Sequence, residues 1–198
     1  MRAIDRTRYG APARRLIEDA LVGGRPATLS FGEPVATARA ALAAMDETAL
    51  GGGRKARDGA AVALLRAGLW LLHDFMDEAH VVAQDIETPA GNYWHALVHR
   101  REPDAANSGY WFARVGNHSI FDELCADASE LAGTNPGKQL AAAMSGGAWH
   151  ARRFVDLCAT DPAGTLRERL LAIQRREWEL LFDFDWRHAF VGQAGGPR

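Results

Sequence analysis

Apolar residues recur at helical spacing along most of the chain, whereas strict alternation of apolar and polar positions, which marks a half-buried strand, forms no run of useful length. The pattern therefore predicts an all-α fold. Two predicted helices are long, one from about Gly59 to Asp85 and one from about Pro162 to Phe190, and the first is expected to be the central helix of a single-domain, irregular helical bundle. Their inward apolar positions are Leu65, Leu69, Leu72, Met76, Ala79 and Ala83 on the first helix and Leu166, Leu170, Ile173, Trp178, Leu181 and Phe184 on the second.

Shorter helices are predicted between breaks that glycine, proline and asparagine introduce. The glycines at 51–53 separate an N-terminal pair of helices, within about residues 1–50, from a core bundle in residues 57–190. Residues 191–198 are predicted to be a disordered tail. The short helices are predicted at about 13–22, 34–45, 93–101, 108–115 and 119–133, with a turn at 88–92 and an N-cap at Asp161 before the last long helix.

The composition is that of a soluble globular protein, and it narrows the functions to consider. With 198 residues, of which 47% are hydrophobic, the chain can bury a sizeable core without disulfides or a structural metal, so a bound metal would serve chemistry. A formal net charge of -2 provides no concentrated basic surface, which argues against a nucleic-acid partner. The two cysteines, Cys125 and Cys158, are too few for a disulfide framework. Because the amino terminus lacks a signal-peptide pattern and no long uninterrupted apolar run occurs, we expect a cytoplasmic protein that does not span a membrane.

Five of the seven histidines lie between Trp70 and His118, and their spacing places them on two helix faces. On the predicted central helix, one stripe is formed by His73, Asp77, His80 and Gln84. On the next helix, His95 and His99 share a face. A connection of about six residues favours antiparallel packing of the two helices, which would bring the two stripes together.

One interpretation of this cluster is a divalent metal site, since neutral imidazole binds zinc, iron, nickel and copper. The candidate ligands are His80, His95 and His99, with His73 and Asp77 as further candidates. Two familiar metal motifs are absent from the sequence, because the histidine pair lacks the adjacent glutamate of a zinc protease and no pair of Glu-x-x-His motifs occurs. The other interpretation is a buried hydrogen-bonded network that joins the helices without a metal.

The polar residues that follow this histidine pair indicate how a ligand would be held. A guanidinium presents a planar fork to a carboxylate or phosphate, and a carboxylate can act as a base. The candidate catalytic residues are His80, His95, Glu102 and Asp104, and the candidate ligand-binding residues are Gln84, Arg100, Arg101, Asn107, Tyr110 and Arg114. In the alternative interpretation the adjacent arginines complement a helix C-terminus and Asp104 caps the next helix. Trp111 is expected to lie in the core.

A long block of these residues resembles the signature of a family of uncharacterised bacterial and fungal proteins. The block runs from Tyr93 to His118 and reads YWHxxxHRREPDxxNxxYWFxRVGxH. Glu78-Ala79-His80-x-x-x-Gln84 precedes it in the same pattern, and weaker similarity appears in residues 154–158 and 176–183. The departure from the family's pattern is Ser119, where a proline is expected after the histidine. The resemblance implies membership of that family and supplies no reaction, substrate or cofactor.

Two functions of different classes fit these features. The first is an enzyme, a hydrolase acting on a small polar or anionic substrate, with its pocket between the central helix and residues 93–114. The second is a non-catalytic structural or interaction protein in which the polar block is a buried clasp. In that case the aromatic residues at helical spacing on the last helix are expected to be exposed and to form a homodimer interface. These residues are Trp178, Phe182, Trp186 and Phe190.

Overall fold

The computed structural model describes residues 1–191, and within them the chain is built of helices and turns without a strand, which confirms the predicted all-α class. The α-helices are α1 Ala11–Val22, α2 Arg39–Ala43, α3 Glu47–Gly51, α4 Gly59–Leu72, α5 Met76–Ala83, α6 Pro89–Arg101, α7 Ala105–Val115, α8 Phe121–Ala132, α9 Lys138–Ala143, α10 Ala151–Ala159 and α11 Gly164–Phe190. Short 3-10 helices span Arg6–Arg8, Ala36–Ala38 and Ser145–Gly147. The predicted disordered tail lies, from residue 192 onwards, outside the described residues.

The prediction of one long helix from Gly59 to Asp85 is wrong, because the chain breaks between α4 and α5. Asp74, in the break, has a φ of 64°, a left-handed backbone conformation that a helix cannot continue through. Its buried carboxylate forms ion pairs with Arg25 and Arg101, which come from distant parts of the chain. These contacts hold the break, and the longest helix in residues 1–191 is α11 instead.

Local capping chemistry sets the start of α6 earlier than predicted. The Thr88 hydroxyl accepts a hydrogen bond from the Gly91 backbone N–H at 3.1 Å, and Pro89 occupies the first helical position, so the expected turn at 88–92 is largely helical. Gly91 is required here because a Cβ atom would lie 1.9 Å from the Ile86 carbonyl oxygen. The helix therefore packs closely against the end of the α5–α6 connection.

The predicted N-cap of the last helix is also wrong. Asp161 has a φ of 40° and pairs with Arg167, and α11 begins at Gly164 after Ala163. The carboxylate thus binds a side chain on the first turns of α11 rather than the backbone N–H groups at its end. Helix α3, which the glycine-rich break at 51–53 obscures in the sequence, is capped by Asp46, whose carboxylate accepts from the Ala49 N–H at 2.8 Å.

The core is organised around α6, which is buried from Ala90 to Arg101. Helix α11 packs along α4 and α8, and the Trp178 indole donates a hydrogen bond to the Gly68 carbonyl at 2.8 Å. Gly68 permits the close approach of α6 to α4, because a Cβ atom at this position would lie 2.7 Å from the Trp94 ring. The aromatic stripe of α11 that was expected to form a dimer interface is buried within the chain, which removes the basis for that interface. Its residues are Trp178, Phe182, Trp186 and Phe190.

Among residues 1–191, no helix combines the length and apolar character needed to cross a membrane.

A buried ion pair joins the two central helices, α6 and α11. Arg100 Nη2 lies 2.6 Å from Glu177 Oε2, and both side chains are almost completely excluded from solvent. The Tyr93 hydroxyl donates to the other Glu177 oxygen at 2.8 Å, and the Arg100 guanidinium lies over the Phe154 ring. Each buried charge therefore has a partner, and removing one leaves the other uncompensated.

We predict that Arg100→Met destabilises the protein by about 3 to 5 kcal/mol, because the substitution keeps the side-chain volume but strands the Glu177 carboxylate. Urea denaturation measures the change. Arg15→Met, at an exposed arginine on α1, is the matched control and should change stability by less than about 0.5 kcal/mol. An Arg100→Met, Glu177→Gln double variant should regain part of the loss. Equal stability of the Arg100 variant and the control would contradict the assigned role of the pair.

Candidate functional site

Three histidines meet where α5 packs against α6. His80 Nε2 lies 2.7 Å from His95 Nε2, which in turn lies 3.0 Å from His99 Nε2. One ring nitrogen from each histidine falls within 4.8 Å of the others, and this is the group in the described part of the chain whose geometry suits a metal ion. The prediction that the two helix faces bring His80, His95 and His99 together is confirmed.

Helical geometry and a short connection produce this triad. His95 and His99 are one turn apart on α6, so their side chains lie on the same face. Helix α5 ends at Ala83 and α6 begins at Pro89, which returns the chain alongside itself and places His80 opposite that face. Two of the three rings are buried and His80 is half-buried, so the triad lies at the rim of the core with one side towards solvent.

The side chains around the triad orient its rings. Glu102 Oε2 lies 2.8 Å from His99 Nδ1, so this nitrogen donates to the carboxylate, and in the neutral form of the ring Nε2 carries the lone pair. The Asn107 side-chain amide lies 3.1 Å from the same Nε2 atom. The Trp111 ring, expected in the core, is half-buried and packs on His95 with ring centroids 4.0 Å apart and planes inclined by 30°. The triad is therefore held by contacts from α7 as well as by its own helices.

The His95 imidazole is neutral at neutral pH. Burial, together with repulsion between positive charges on this ring and on the neighbouring His99 and His80 rings, lowers its pKa to about 4. Its Nδ1 atom is buried and has no hydrogen-bond partner among residues 1–191. A metal ion binds to the ring nitrogen of a neutral imidazole that carries the lone pair. In His95 the nitrogen that faces the other two histidines is Nε2.

The other members of the predicted histidine stripe lie apart from the triad. His73 follows the last residue of α4 and lines a different cleft, beside Leu16 and Asp19, because the break at Asp74 changes the direction of the chain. Asp77 lies on the exposed side of α5, and Gln84 is exposed at its end. The stripe expected on one continuous helix is thus divided between two helices.

The predicted ligand-binding arginines of α6 are engaged inside the protein. Arg100 pairs with Glu177, and Arg101 pairs with Asp74 and donates to the Leu71 carbonyl at 3.0 Å. Asp104 caps α7 by accepting from the Asn107 N–H at 3.0 Å. These contacts leave both guanidinium groups and this carboxylate with structural partners.

Two candidate ligand-binding residues on α7 remain exposed near the triad. Arg114 and Tyr110 lie on the solvent side of α7. The Arg114 guanidinium is 5.5 Å from the centroid of the Trp111 ring and 5.9 Å from that of Tyr110. Because Trp111 packs on His95, these side chains form the edge of the site on the α7 side.

Comparisons with known protein families, characterised proteins and solved structures gave no match to the chain. Membership of the family that the Tyr93–His118 block resembles therefore stays a prediction. The geometry of the site is what bears on function, because a fold class by itself supports many activities.

We predict that the free energy of unfolding of the metal-free protein falls as the pH drops from about 7 to about 5. Folded His95 stays neutral down to about pH 4, whereas the unfolded chain takes up a proton near the usual histidine pKa of about 6.5. The stability that depends on the neutral ring is thus fully present above about pH 6.5 and is lost as the pH falls towards 4. Urea denaturation of His95→Gln should show a pH dependence shallower by about 1 to 2 kcal/mol over this range. Parallel curves for the two proteins would contradict this assignment.

Proposed function

We propose that His80, His95 and His99 bind one divalent transition-metal ion, with Zn²⁺ the first candidate, and that the ion serves hydrolysis of a small polar substrate. The observation that carries the proposal is the convergence of three imidazole nitrogens from two packed helices. Zinc–nitrogen bonds of about 2.0 to 2.1 Å in a tetrahedral site separate the nitrogens by about 3.3 Å. The observed separations of 2.7 and 3.0 Å are thus about 0.3 to 0.6 Å shorter than this distance, and the ring nitrogens of His80 and His99 lie within 4.8 Å of each other.

Three protein ligands favour a catalytic site over a structural one. Structural zinc sites use four protein ligands, whereas catalytic sites use three and keep one position for water or substrate. A chain of 198 residues with a large apolar core can fold without a structural metal, which favours a chemical role for the ion. A metal-bound water ionises near neutral pH, which makes hydrolysis the reaction class that such a centre serves.

The contact between Glu102 and His99 supports a metal-binding role. Metal-binding histidines usually donate their second ring nitrogen to a carboxylate or carbonyl, which fixes the tautomer and makes the ligating nitrogen more basic. His99 has this arrangement, with Nδ1 towards Glu102 and Nε2 towards the triad. We assign Glu102 as a positioning residue of the proposed centre.

A cleft that borders Glu102 is the proposed place for a polar substrate, and Glu102 links it to the triad, whose three histidines are not among the lining residues. Its volume is about 380 Å³, and Glu102 forms part of its wall. The cleft also carries Asp77 and Glu78, while its arginine, Arg39, pairs with Glu78. This balance of charge favours a neutral or cationic substrate over an anionic one. Glu102 contacts both the cleft and His99, so it is placed to move a proton between the centre and solvent.

A second candidate function, a metal-free clasp, has one observation in its favour. The nitrogen separations of 2.7 and 3.0 Å are hydrogen-bond distances, so His95 can share N–H···N bonds with its two neighbours. In that arrangement the triad fastens α5 to α6 and binds nothing. Metal content and the response of stability to zinc distinguish the two functions.

We predict that the tag-free protein binds about one Zn²⁺ per chain and that His80→Asn removes this binding, because two imidazoles alone form a weak site. Elemental analysis by mass spectrometry and zinc titration calorimetry measure the stoichiometry and the affinity. His150→Asn, at a histidine remote in sequence and bonded to Ser145, is the matched control and should bind zinc like the wild type. Zinc should also raise the melting temperature of the wild type but not of His80→Asn. No zinc binding by the wild type, together with a lower melting temperature for His80→Asn, would favour the clasp.

We further predict that Glu102→Gln lowers the zinc affinity by about 10- to 100-fold while keeping the stoichiometry, because the neutral amide orients and polarises His99 less strongly than a carboxylate does. Competition with a chromophoric chelator measures the affinity. Glu78→Gln, at a neighbouring carboxylate in the same cleft, is the control for a general loss of negative charge. Equal weakening in both variants would show that the effect is electrostatic and not specific to His99.

A further inference from the structure

A second cavity, which shares no lining residue with the triad, lies between the amino ends of α4 and α6, the α7–α8 loop and the last turns of α11. Its volume is about 350 Å³, which is in the range of small-molecule sites. The exposed rim includes Asp58, Asn117 and Ser119. Ala60 also lies at this exposed rim. The floor and walls are Ala61, Leu64, Thr88, Pro89, Ala90, His118, Phe184, Asp185 and His188. The cavity thus combines apolar walls with a few polar groups.

The floor of this cavity carries an acid, Asp185, that has no ion-pair partner among residues 1–191. Asp185 is 1% exposed, and the Trp94 indole N–H donates a hydrogen bond to its Oδ2 at 2.6 Å. Other buried acids on α11, such as Glu177 and Asp183, are paired with arginine. Within the described part of the chain, no lysine or arginine lines the cavity, although Asp58 adds a second carboxylate at its rim. In the sequence, Asp185 stands between Phe184 and Trp186. An acid between two aromatic residues is the signal of a buried carboxylate that sequence analysis missed.

His118 provides a separate indication that something binds here. Its side chain is 5% exposed and lines the cavity, and its buried Nε2 atom has no hydrogen-bond partner in residues 1–191. The Ile120 backbone N–H approaches its Nδ1 atom at 3.4 Å, so Nδ1 accepts and Nε2 carries the hydrogen. An unpaired buried donor costs free energy unless a ligand or water accepts from it.

We propose that this cavity is a ligand site for a small organic amine that also carries an oxygen acceptor, as an amino alcohol does. The ammonium group pairs with Asp185, under the further attraction of Asp58. The oxygen accepts from His118 Nε2, and the carbon chain lies against Leu64 and Phe184. This site is independent of the histidine triad, so neither proposal depends on the other.

The arrangement of donors and acceptors favours an organic cation over a metal ion or an anion. In residues 1–191 the carboxylates and imidazoles of this cavity form no group of three that converges on one point, as a metal ion requires. The amino ends of α4 and α6 attract anions, but the Asp58 carboxylate and the Thr88 hydroxyl already accept from their N–H groups. An anion would also meet two carboxyl groups without a neighbouring cationic side chain.

Binding of a cation here should release a proton. Burial, with a smaller contribution from the Asp58 charge and against the opposing effect of the Trp94 hydrogen bond, raises the pKa of Asp185 to about 8. The groups that face Asp185 are Asp58 from α4, Trp94 from α6, His118 from the α7–α8 loop and His188 from its own helix. Burial lowers the pKa of His118 to about 4, so this ring carries no charge at neutral pH. The affinity for an amine should therefore rise with pH, by up to about tenfold per unit, until Asp185 is ionised at about pH 8.

The test uses the indole N–H of Trp94 as a reporter, because it donates directly to Asp185. The probe is 4-amino-1-butanol, titrated into the full chain and followed by two-dimensional ¹H–¹⁵N NMR, with the Trp94 signal identified from a Trp94→Phe spectrum. We expect a saturable shift of this signal and tighter binding at about pH 8 than at about pH 6.5. The probes 1,4-butanediol and 4-hydroxybutyrate, which lack the ammonium group, should leave the signal unchanged.

Two variants and one control make the result specific to this cavity. Asp185→Asn keeps an acceptor for Trp94 but loses the charge, and it should weaken amine binding by about tenfold or more. Ala60→Phe, at the exposed rim, should block entry without touching the core. Asp156→Asn, at an exposed acid on α10, should bind the amine like the wild type. Tighter binding of 4-hydroxybutyrate than of the amine, no shift with the amine, or equal amine binding by Asp185→Asn would each overturn the proposal.

Discussion

Helix α6 is buried along almost its whole length, and this burial determines which partners its polar side chains must have. Buried polar and charged groups are costly unless they are paired, and α6 carries five of them between Asn92 and Arg101. Arg100 finds Glu177 on α11, and Arg101 finds Asp74 in the α4–α5 break. The tyrosine and tryptophan that precede them donate to acids on α11. Neighbouring helices are therefore positioned by electrostatic partners as well as by apolar packing.

The same helix supplies both candidate sites. Because successive residues of a helix are rotated by about 100°, the adjacent side chains of Trp94 and His95 project in different directions and contact different neighbours. Trp94 donates to Asp185 at the floor of the second cavity, whereas His95 and His99 face His80 on α5. Apolar contacts such as Trp94 against Gly68 keep α6 fixed between α4 and α11. A rigid buried helix of this kind holds reactive side chains more precisely than a surface loop does.

Part of the candidate site follows from local periodicity, and part does not. The four-residue spacing of His95 and His99 and the short connection from α5 are local features, so the meeting of these rings with His80 could be predicted. The contact between Glu102 and His99, three residues apart, is also within reach of helical geometry. Nothing local indicates that Trp111 packs on His95 or that Arg101 turns inwards to Asp74, because those contacts depend on how α7 and the α4–α5 break are placed.

By itself the sequence determined the helical class, most helix positions and the histidine cluster, because each depends on spacing within about one or two turns. Tertiary structure decided where the predicted central helix breaks, since Asp74 needs Arg25 and Arg101 from remote segments to hold its left-handed backbone. It also decided that the aromatic stripe of α11 is core and that Asp185 and His118 border one cavity. These outcomes depend on pairs of residues far apart in the chain, and no periodic pattern records which distant residue will supply the partner of a buried polar group.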